Sequence, residues 1–396
     1  MDARPRHEFG RCLCANRRGA TLVLMAFAIV GLLAFAAFAI DVGYLLTARN
    51  QLQNSADSAA MAAAWTLLDQ RRLLGDAEMY GVEWDARVTA YQYASGNKVA
   101  GDAPTVNLNI DNSAGGDVEF GRLTAGNAID TAVDPPDYNA VRVVVKRTAD
   151  TNGEVPLFFA RVLGRNAGAV QAEATAVFHD GITGFKSRTN VANTSLLPFA
   201  LKIDDWLDIV NGNGGDAWDY DSATGDVTAG SDGITEGKLF PGSASSTGSK
   251  GQGKTKITPG NWGTVDIGAA NNSTADLSRQ IVDGVSSADL DLIGGELNIG
   301  DSLNGDTGIS AGIKDDLAAI IGEPRTIPLY DTVTGNGNNT SYHIVGFAGV
   351  RVLEVQLTGG TKYVTIQPAV VVDPAAKGTD TNTQSYQVFE PVVLVK

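Results

Sequence analysis

The chain has 396 residues, long enough for two or three domains, and its formal net charge at pH 7 is −15. This charge is uneven, because residues 1–18 contain five arginines against two acids and the remainder is strongly acidic. A chain of this composition is a poor candidate for binding nucleic acid, and an acidic exported region does not favour anionic lipid surfaces.

The chain begins with this basic arm, residues 1–18, which also holds both cysteines, Cys12 and Cys14. No intramolecular disulfide can therefore form in the rest of the chain. With only His7 nearby as a further metal-ligating side chain, we interpret the two cysteines as reduced thiols.

The first predicted element is an apolar helix at residues 19–40, which contains no charged residue. At the rise of an α-helix it is about 33 Å long, enough to cross the hydrocarbon core of a bilayer. The arginines before it and Asp41 directly after it predict a cytoplasmic N-terminus and an exported remainder. Phe35 and Phe38 crowd the place where signal peptidase requires small residues, so we expect an uncleaved anchor rather than a cleaved signal.

The helical pattern continues outside the membrane, over residues 41–72. Leu52, Ala56, Ala59 and Ala63 recur on one face at three-, four- and seven-residue spacing. Alanine favours helix and leaves a narrow surface that another helix can approach closely. We predict one helix of about 50 residues whose alanine face packs against helices of related subunits; a plain anchor with an amphipathic stalk is the simpler alternative.

Residues 73–180 have the pattern of a small α/β domain. A helix is predicted at residues 77–94, where Ser95-Gly96-Asn97 ends it. Short strands with alternating apolar residues are predicted at residues 105–110, 117–122, 140–147 and 168–178, with a short helix at 156–163. Residues 181–190 are predicted to be a linker.

Residues 191–396 are rich in Gly, Asn and Asp and predict a β-rich domain. Strands are predicted at residues 196–203, 342–357, 363–372 and 386–395, helices at 277–285 and 313–321, and a long loop at 211–259. The whole chain is therefore predicted to be α+β: a single membrane helix that continues into an extended helix, a small α/β sheet domain, and a β-rich C-terminal domain.

Two motifs resemble catalytic or nucleotide-binding signatures. The string Gly248–Thr255 matches a phosphate-binding loop by letter, but no apolar strand precedes it and Pro259 follows closely. Gly308-Ile309-Ser310-Ala311-Gly312, followed by Asp331 and His343, fits the order of a hydrolase triad, but turn residues precede the serine where a buried strand is required. We predict no enzymatic activity, no cofactor and no small-molecule substrate.

Asp216, Asp219 and Asp221 place three carboxylates on a glycine-rich loop. Carboxylate oxygens suit Ca²⁺, but the segment lacks the twelve-residue order and the closing Glu of an EF-hand. These residues are only a weak calcium candidate, and otherwise no metal site is predicted.

Residues 17–69 resemble the N-terminal segment of TadE/TadG-like Flp pilus-assembly proteins. The likeness rests on Arg17-Arg18-Gly19, the apolar run, Asp41-x-Gly43, and the Leu-Gln-Asn-x-Ala-Asp-x-Ala-Ala pattern at residues 52–60. It extends more loosely through FFARVLG to about residue 180. The resemblance implies a non-catalytic component of the bacterial inner membrane, periplasmic for most of its length, whose partners are the lipid bilayer and other pilus-assembly or pilin-like subunits.

One position departs from prepilins, in which cleavage follows a glycine and the fifth mature residue is Glu. Counted from Ala20 that position is Leu24, so Gly19 is a weak processing site and a permanent anchor is the better interpretation. Asp41 is expected to mark the lipid boundary or to contact a partner. The predicted membrane and packing residues are Gly19, Leu24, Gly31, Asp41, Gly43, Leu52, Ala56, Ala59 and Ala63.

The predicted function is therefore that of a membrane-anchored component of a Flp/Tad-type pilus-assembly or secretion apparatus, which acts through helix packing and extracytoplasmic protein contacts. The alternative is a membrane-tethered surface adhesin or binding module, in which the helix is only a tether.

Overall fold

The computed structural model describes residues 18–124, 126–189, 191–240, 262–268, 273–306, 309–335, 340–360, 362–379 and 385–395. The cysteines of the basic arm, the phosphate-loop string at 248–255 and Gly308 lie outside these residues.

The first part of the chain forms two long helices and a set of strands. The elements are α1 (Arg18–Thr66), α2 (Asp76–Gly96), β1 (Val118–Leu123), β2 (Ile129–Asp130), β3 (Ala140–Arg147), β4 (Val155–Pro156), β5 (Ala167–Gly168), β6 (Val170–Val177) and β7 (Gly181–Lys186). Short 3₁₀ helices lie at Gln70–Leu74, Pro135–Asp137 and Ala160–Leu163.

The second part is dominated by strands. Its elements are β8 (Phe199–Lys202), α3 (Ile203–Val210), β9 (Trp218–Tyr220), β10 (Val227–Ala229), β11 (Gly237–Leu239), β12 (Trp262–Val265), α4 (Thr274–Asp283), α5 (Ser287–Leu292), β13 (Glu296–Asn298), β14 (Ser302–Asp306), a 3₁₀ helix at Ala311–Ile313, α6 (Lys314–Ala319), β15 (Pro324–Thr334), β16 (Thr340–Gln356), β17 (Tyr363–Pro368), β18 (Val371–Val372), β19 (Ala376–Thr379), β20 (Val388–Phe389) and β21 (Val393–Val395). The predicted α+β class is confirmed.

Helix α1 is continuous over 49 residues and has two different environments. Its large apolar side chains from Leu22 to Ile40 are more than half exposed, whereas Ala48, Leu52 and the alanines that follow are buried. Among the described residues, one helix is long and apolar enough to cross a membrane, and it is this one. The prediction of a single helix that leaves the apolar span without a break is confirmed.

The buried half of α1 packs with α2 against the first sheet, whose strand order is β2-β1-β3-β6-β21. Strands β3 and β6 form its antiparallel centre, with Ala140 opposite Val177 and Arg147 opposite Val170. Alternate residues of a strand point to the same face, and Val141, Val143 and Val145 of β3 are buried in the core that the helices cover.

The last strand of the chain belongs to this first sheet. β21 pairs antiparallel with β6, and Phe389 and Val392 enter the same core as the alanines of α1. The guanidinium of Arg72 lies 5.7 Å from the ring centre of Phe178 and 5.4 Å from that of Phe389. The division into domains at 73–180 and 191–396 stays a prediction, and within it the C-terminus completes the sheet of the earlier segment.

The larger sheet closes on itself. Strands β16, β14, β12, β8 and β15 pair successively, and β15 pairs again with β16. The β8–β15 pairing is parallel and the other pairings in the ring are antiparallel. Alternate residues of β8 enter different cores, Phe199 and Leu201 on one face and Ala200 on the other. Burial on both faces explains why Phe199, Ala200 and Leu201 of β8 are all apolar instead of alternating with polar residues.

Three predictions of local structure need correction. Residues 105–110 alternate but form no strand, because the Asn107 N–H donates to an Asp117 side-chain oxygen. The predicted linker at 181–190 contains β7, which pairs with β13 and β19. The predicted loop at 211–259 contains β9, β10 and β11.

Asp205, in the first turn of α3, is an unfavourable buried charge. It is 5% exposed, and among the described residues its Oδ2 has no hydrogen-bond partner. Burial raises the pKa of this carboxyl to about 6 from a usual 3.8; Lys202 opposes the shift, and Asp208 and Asp204 add to it.

We expect stability to fall as the pH rises from about 4 to about 6, because in that range the folded state holds a proton on Asp205 that the unfolded state releases. Asp205→Asn should remove this dependence and raise the free energy of unfolding at pH 7 by about 2 kcal/mol. Denaturant unfolding of the original chain and of Asp205→Asn at pH 5 and pH 7.5 measures this change in the free energy of unfolding. Asp204→Asn, at a carboxyl with 71% of its side chain exposed, is the matched control; an equal effect of both variants would contradict the assignment.

Candidate functional site

The most specific arrangement near the membrane lies at the outer end of the apolar span, where Asp41 is only 4% exposed. Its carboxylate accepts hydrogen bonds from three successive backbone N–H groups: those of Phe158 at 2.8 Å, Phe159 at 3.0 Å and Ala160 at 2.6 Å. These residues lead into the 3₁₀ helix Ala160–Leu163.

Successive N–H groups at the start of a helical turn form a concave site for an anion, and the Asp41 carboxylate fills it. Since side chains on a helix tilt toward its N-terminus, the Asp41 side chain leans from α1 toward the membrane side. The sequence predicts a boundary charge or a partner contact for this residue. The structure gives it a partner 117 to 119 positions further along the same chain.

Packing around Asp41 holds the same segment against α1. The rings of Tyr44 and Phe158 meet edge to face with their centres 5.2 Å apart. Gly168 lies so close to Leu45 that an added Cβ would come within 3.1 Å of that side chain. The segment that contains Phe158 and Gly168 is therefore fixed against the turns of α1 that follow the apolar span.

The glycines predicted to matter for packing behave differently. A Cβ at Gly31 or Gly43 would meet nothing within 4 Å, so nothing in the described part of the chain requires a small residue there. Gly19 lies in the first turn of α1, and Leu24 is 73% exposed. Leu24, Gly31 and Gly43 therefore face the surroundings of α1 rather than the rest of the described chain.

The alanine face of α1 is covered by the chain itself. Ala56, Ala59, Ala63 and Leu52 are completely buried in the core shared with α2 and the first sheet. Polar contacts close the same interface: the Ser55 hydroxyl donates to the Ala94 carbonyl at 2.9 Å, and an Asn97 side-chain N–H to the Ser58 hydroxyl at 2.7 Å. The expectation that this face packs on helices of related subunits is therefore corrected, because an intramolecular helix occupies it.

An open groove of about 600 Å³ runs between α1 and α2 on the side away from that core. Trp65 and Tyr93 line it, and their side chains are 44% and 52% exposed. Large exposed aromatic side chains are typical of protein-contact surfaces. The sequence analysis did not identify this groove; the only available signal was two aromatics on helical segments outside the alanine stripe.

The calcium candidates do not converge. Asp216 accepts from the Ser231 hydroxyl at 2.6 Å and the Gly233 N–H at 3.1 Å, and Asp221 accepts from the Ala223 N–H. Over the described part of the chain, no group of three or more His, Cys, Asp or Glu side chains could hold a metal ion. Asp216 and Asp221 shape local turns instead.

Of the three residues that fit the order of a hydrolase triad, Asp331 and His343 are in contact, and Ser310 contacts other residues. His343 Nδ1 and an Asp331 oxygen are 2.8 Å apart on neighbouring strands, with both side chains more than 40% exposed. The Ser310 hydroxyl instead accepts from the Gly312 N–H and lies 3.4 Å from the Thr274 hydroxyl. This arrangement is a surface contact between a histidine and an aspartate, together with a helix cap.

Two protein-family models match the first half of the chain. One, described as putative Flp pilus-assembly TadE/G-like, matches residues 19–66. The other, described as putative Tad-like Flp pilus-assembly, matches residues 49–176. Over residues 19–176 the chain is therefore similar to TadE/TadG-like Flp pilus-assembly proteins. No curated protein and no solved structure matches it.

The matched residues of this Tad-type protein correspond to definite structural parts. The first match covers nearly all of α1, and the second runs from the buried half of α1 to β6. The two overlap at residues 49–66, where the helix leaves the apolar span and enters the core. The resemblance predicted from residues 17–69 is confirmed, and the closed sheet lies outside both matches.

Proposed function

We propose that this pilus-assembly protein is a non-catalytic, single-pass component of the inner membrane, with its N-terminus in the cytoplasm and its folded part outside. The observation that supports this most directly is the continuity of α1 from its exposed apolar half into the buried half. A helix that belongs to both the membrane and the core of a domain holds that domain at a fixed height above the bilayer.

Several contacts stiffen this connection. The Gln53 side chain donates to the Glu173 carbonyl of β6 at 2.9 Å, and Gln51 accepts from the Ala100 N–H at 2.8 Å. With the alanine face covered, the surfaces left for other pilus components are the apolar half of α1 and the groove beside Trp65 and Tyr93. We assign contacts with related subunits to these two surfaces.

The proposal is tested by releasing the domain from the membrane. Residues 1–40 are replaced by a cleavable export signal, which leaves Asp41 and the whole core in place. We expect the released chain to resist protease like the full chain but not to support pilus assembly, because its position relative to the membrane is lost. Pilus number, counted by electron microscopy in the cells that produce the chain, is the measurement.

A matched control replaces only residues 19–40 with an unrelated single-pass apolar helix. Recovery of pili in this control assigns the function to anchoring, and failure to recover assigns it to specific contacts within the bilayer. Normal pilus numbers from the released chain would overturn the proposal.

The second candidate is a membrane-tethered surface adhesin. It is favoured by the extent of the chain outside both family matches, which contains the closed sheet. In the same experiment this candidate requires normal pili and a loss of surface attachment. Deletion of residues 191–396 is a less selective test, because it also removes β21 from the first sheet.

A further inference from the structure

The segment 157–165, here called the anchor loop, exposes an unusual group of apolar side chains. Val162 is 89% exposed and Leu163 85%, while Phe158 and Phe159 are 58% and 45% exposed. Among the described residues, no large apolar side chain of α1 exceeds 76% exposure, the value for Phe35. Val162 and Leu163 of the anchor loop are therefore more exposed than any large apolar side chain described in the candidate membrane span, and Phe158 and Phe159 are about half exposed.

Most backbone N–H groups of the anchor loop have hydrogen-bond partners within the chain. Asp41 accepts from the N–H groups of residues 158, 159 and 160, and the Leu157 N–H donates to the Asn166 carbonyl. The N–H groups of Val162, Gly164 and Arg165 donate to carbonyls of the same loop. Gly164 has a φ of +81°, which lets the chain close the turn. Non-helical backbone tolerates an apolar environment only when its polar groups are paired in this way.

The anchor loop also lies at the height where α1 leaves the lipid. Asp41 directly follows the apolar span and is bonded to the loop through three N–H groups. Phe158 and Phe159 thus stand at the level of the membrane interface, where Phe, Leu and Trp side chains of interfacial segments insert into the boundary between headgroups and acyl chains. Arg161 and Arg165 make this loop locally cationic within an acidic exported region, and their long side chains can reach lipid phosphates.

We propose that the anchor loop is a second membrane contact, in which Phe158, Phe159, Val162 and Leu163 enter the outer leaflet and Arg161 and Arg165 bind lipid phosphate groups. Together with α1 it gives the domain two points of attachment, so the domain cannot rotate freely about the helix axis. The occupant is the lipid bilayer, argued from continuity with the apolar span. The inference rests on the proposed membrane-spanning role of α1.

The test measures depth in the bilayer with the full chain. Cys12 and Cys14 are replaced by serine, and single cysteines at Leu163, Phe35 or Leu292 carry an environment-sensitive fluorophore. Leu292 is the matched control, because it is 66% exposed on α5, in the second part of the chain. Each labelled chain is reconstituted into phosphatidylethanolamine–phosphatidylglycerol vesicles with or without spin-labelled lipid.

We expect blue-shifted emission and strong quenching by spin-labelled lipid at positions 35 and 163, and neither at 292. Quenching at position 35 together with water-like emission at position 163 would contradict the proposed membrane contact of the anchor loop. The proposed membrane span of α1 would still be supported. Absence of quenching at both positions would overturn both proposals. A blue shift at 163 without lipid quenching would show that protein, such as a second copy of the chain, covers the loop, and would also overturn the inference.

A second variant tests the role of Asp41 in placing the loop. In the chain labelled at position 163, Asp41→Ala removes the acceptor for three N–H groups, and we expect quenching by lipid to decrease markedly. Asp57→Ala is the control, since Asp57 also lies on α1 and accepts only from the neighbouring Gln53 among the hydrogen bonds described. Unchanged quenching at position 163 in Asp41→Ala would contradict the inference that the Asp41 hydrogen bonds hold the anchor loop in place.

Discussion

Replacing Arg87 with alanine is expected to lower the free energy of unfolding by about 3–5 kcal/mol, because the change leaves a buried carboxylate without its partner. Arg87 of α2 is 1% exposed, and its Nε donates to a Glu83 oxygen at 3.0 Å. The guanidinium also donates to the carbonyls of Leu108 at 2.7 Å and Val118 at 3.2 Å. It lies 4.6 Å from the ring centre of Phe120.

Arg87 thereby organises the segment that precedes β1. The carbonyl of Leu108 has its partner in this side chain rather than in a neighbouring strand, so the segment depends on a contact from α2. Loss of the guanidinium removes this contact together with the ion pair. In Arg87→Ala, we expect residues 103–117 to become the most protease-sensitive segment of the first part of the chain, which runs from α1 to β7.

Denaturant unfolding of the detergent-solubilised chain measures the effect. Arg71→Ala is the matched control, because Arg71 also pairs with two carboxylates, those of Asp69 and Asp85, but its side chain and both partners are at least 33% exposed. Its loss should cost about 1 kcal/mol or less. The double variant Arg87→Met/Glu83→Gln should be less destabilised than Arg87→Ala, because no unpaired charge remains. Equal losses for Arg87→Ala and Arg71→Ala would contradict the buried-pair explanation.

The second large effect is expected at the alanine face of α1. Ala59→Leu should cost about 1–3 kcal/mol by overpacking, since the site is completely buried between α2 and the first sheet. In the triple variant with leucine at Ala56, Ala59 and Ala63, we expect loss of the folded core that α1 shares with α2 and the first sheet, while the apolar span still enters the membrane. Protease resistance and membrane extraction measure the two properties separately.

Asn54→Leu is the matched control, because it introduces the same side chain on the exposed face of α1. It should leave protease resistance unchanged. If the triple variant folded like the original chain but no longer co-purified with pilus components, the alanine face would serve a partner instead. That outcome would contradict the intramolecular packing seen in the structure.

The local pattern of apolar residues was sufficient to predict the helices and strands in which buried residues recur at regular spacing. The apolar run and the alanine stripe predicted α1, and the valines of β3 predicted the strongest strand of the first sheet. Residues 105–110 show where the same logic fails. Their alternation matches a strand, but the side chains of Arg87 and Asp117 take the hydrogen bonds that a neighbouring strand would provide.

β15 was missed for a related reason. It contains Pro324 and Pro328, and proline is depleted in paired strands. The strand nevertheless pairs along β16 and closes the ring through β8. The ring closes through the pairing of β15 with β8, and these strands lie more than 100 residues apart in sequence. A local periodicity of apolar residues carries no information about such distant partners.

The sequence by itself determined the length and hydrophobicity of the apolar helix and its continuation beyond the apolar span. It also determined the family that the first half of the chain resembles. All three depend on local periodicity, hydrophobic length and residue spacing, which the unfolded chain already contains. Only the tertiary structure decided what covers each face: α2 on the alanine stripe, β21 in the first sheet, and the anchor loop on Asp41. These contacts join residues far apart in sequence, and their free energy depends on burial and hydrogen bonding that exist only once the chain has folded.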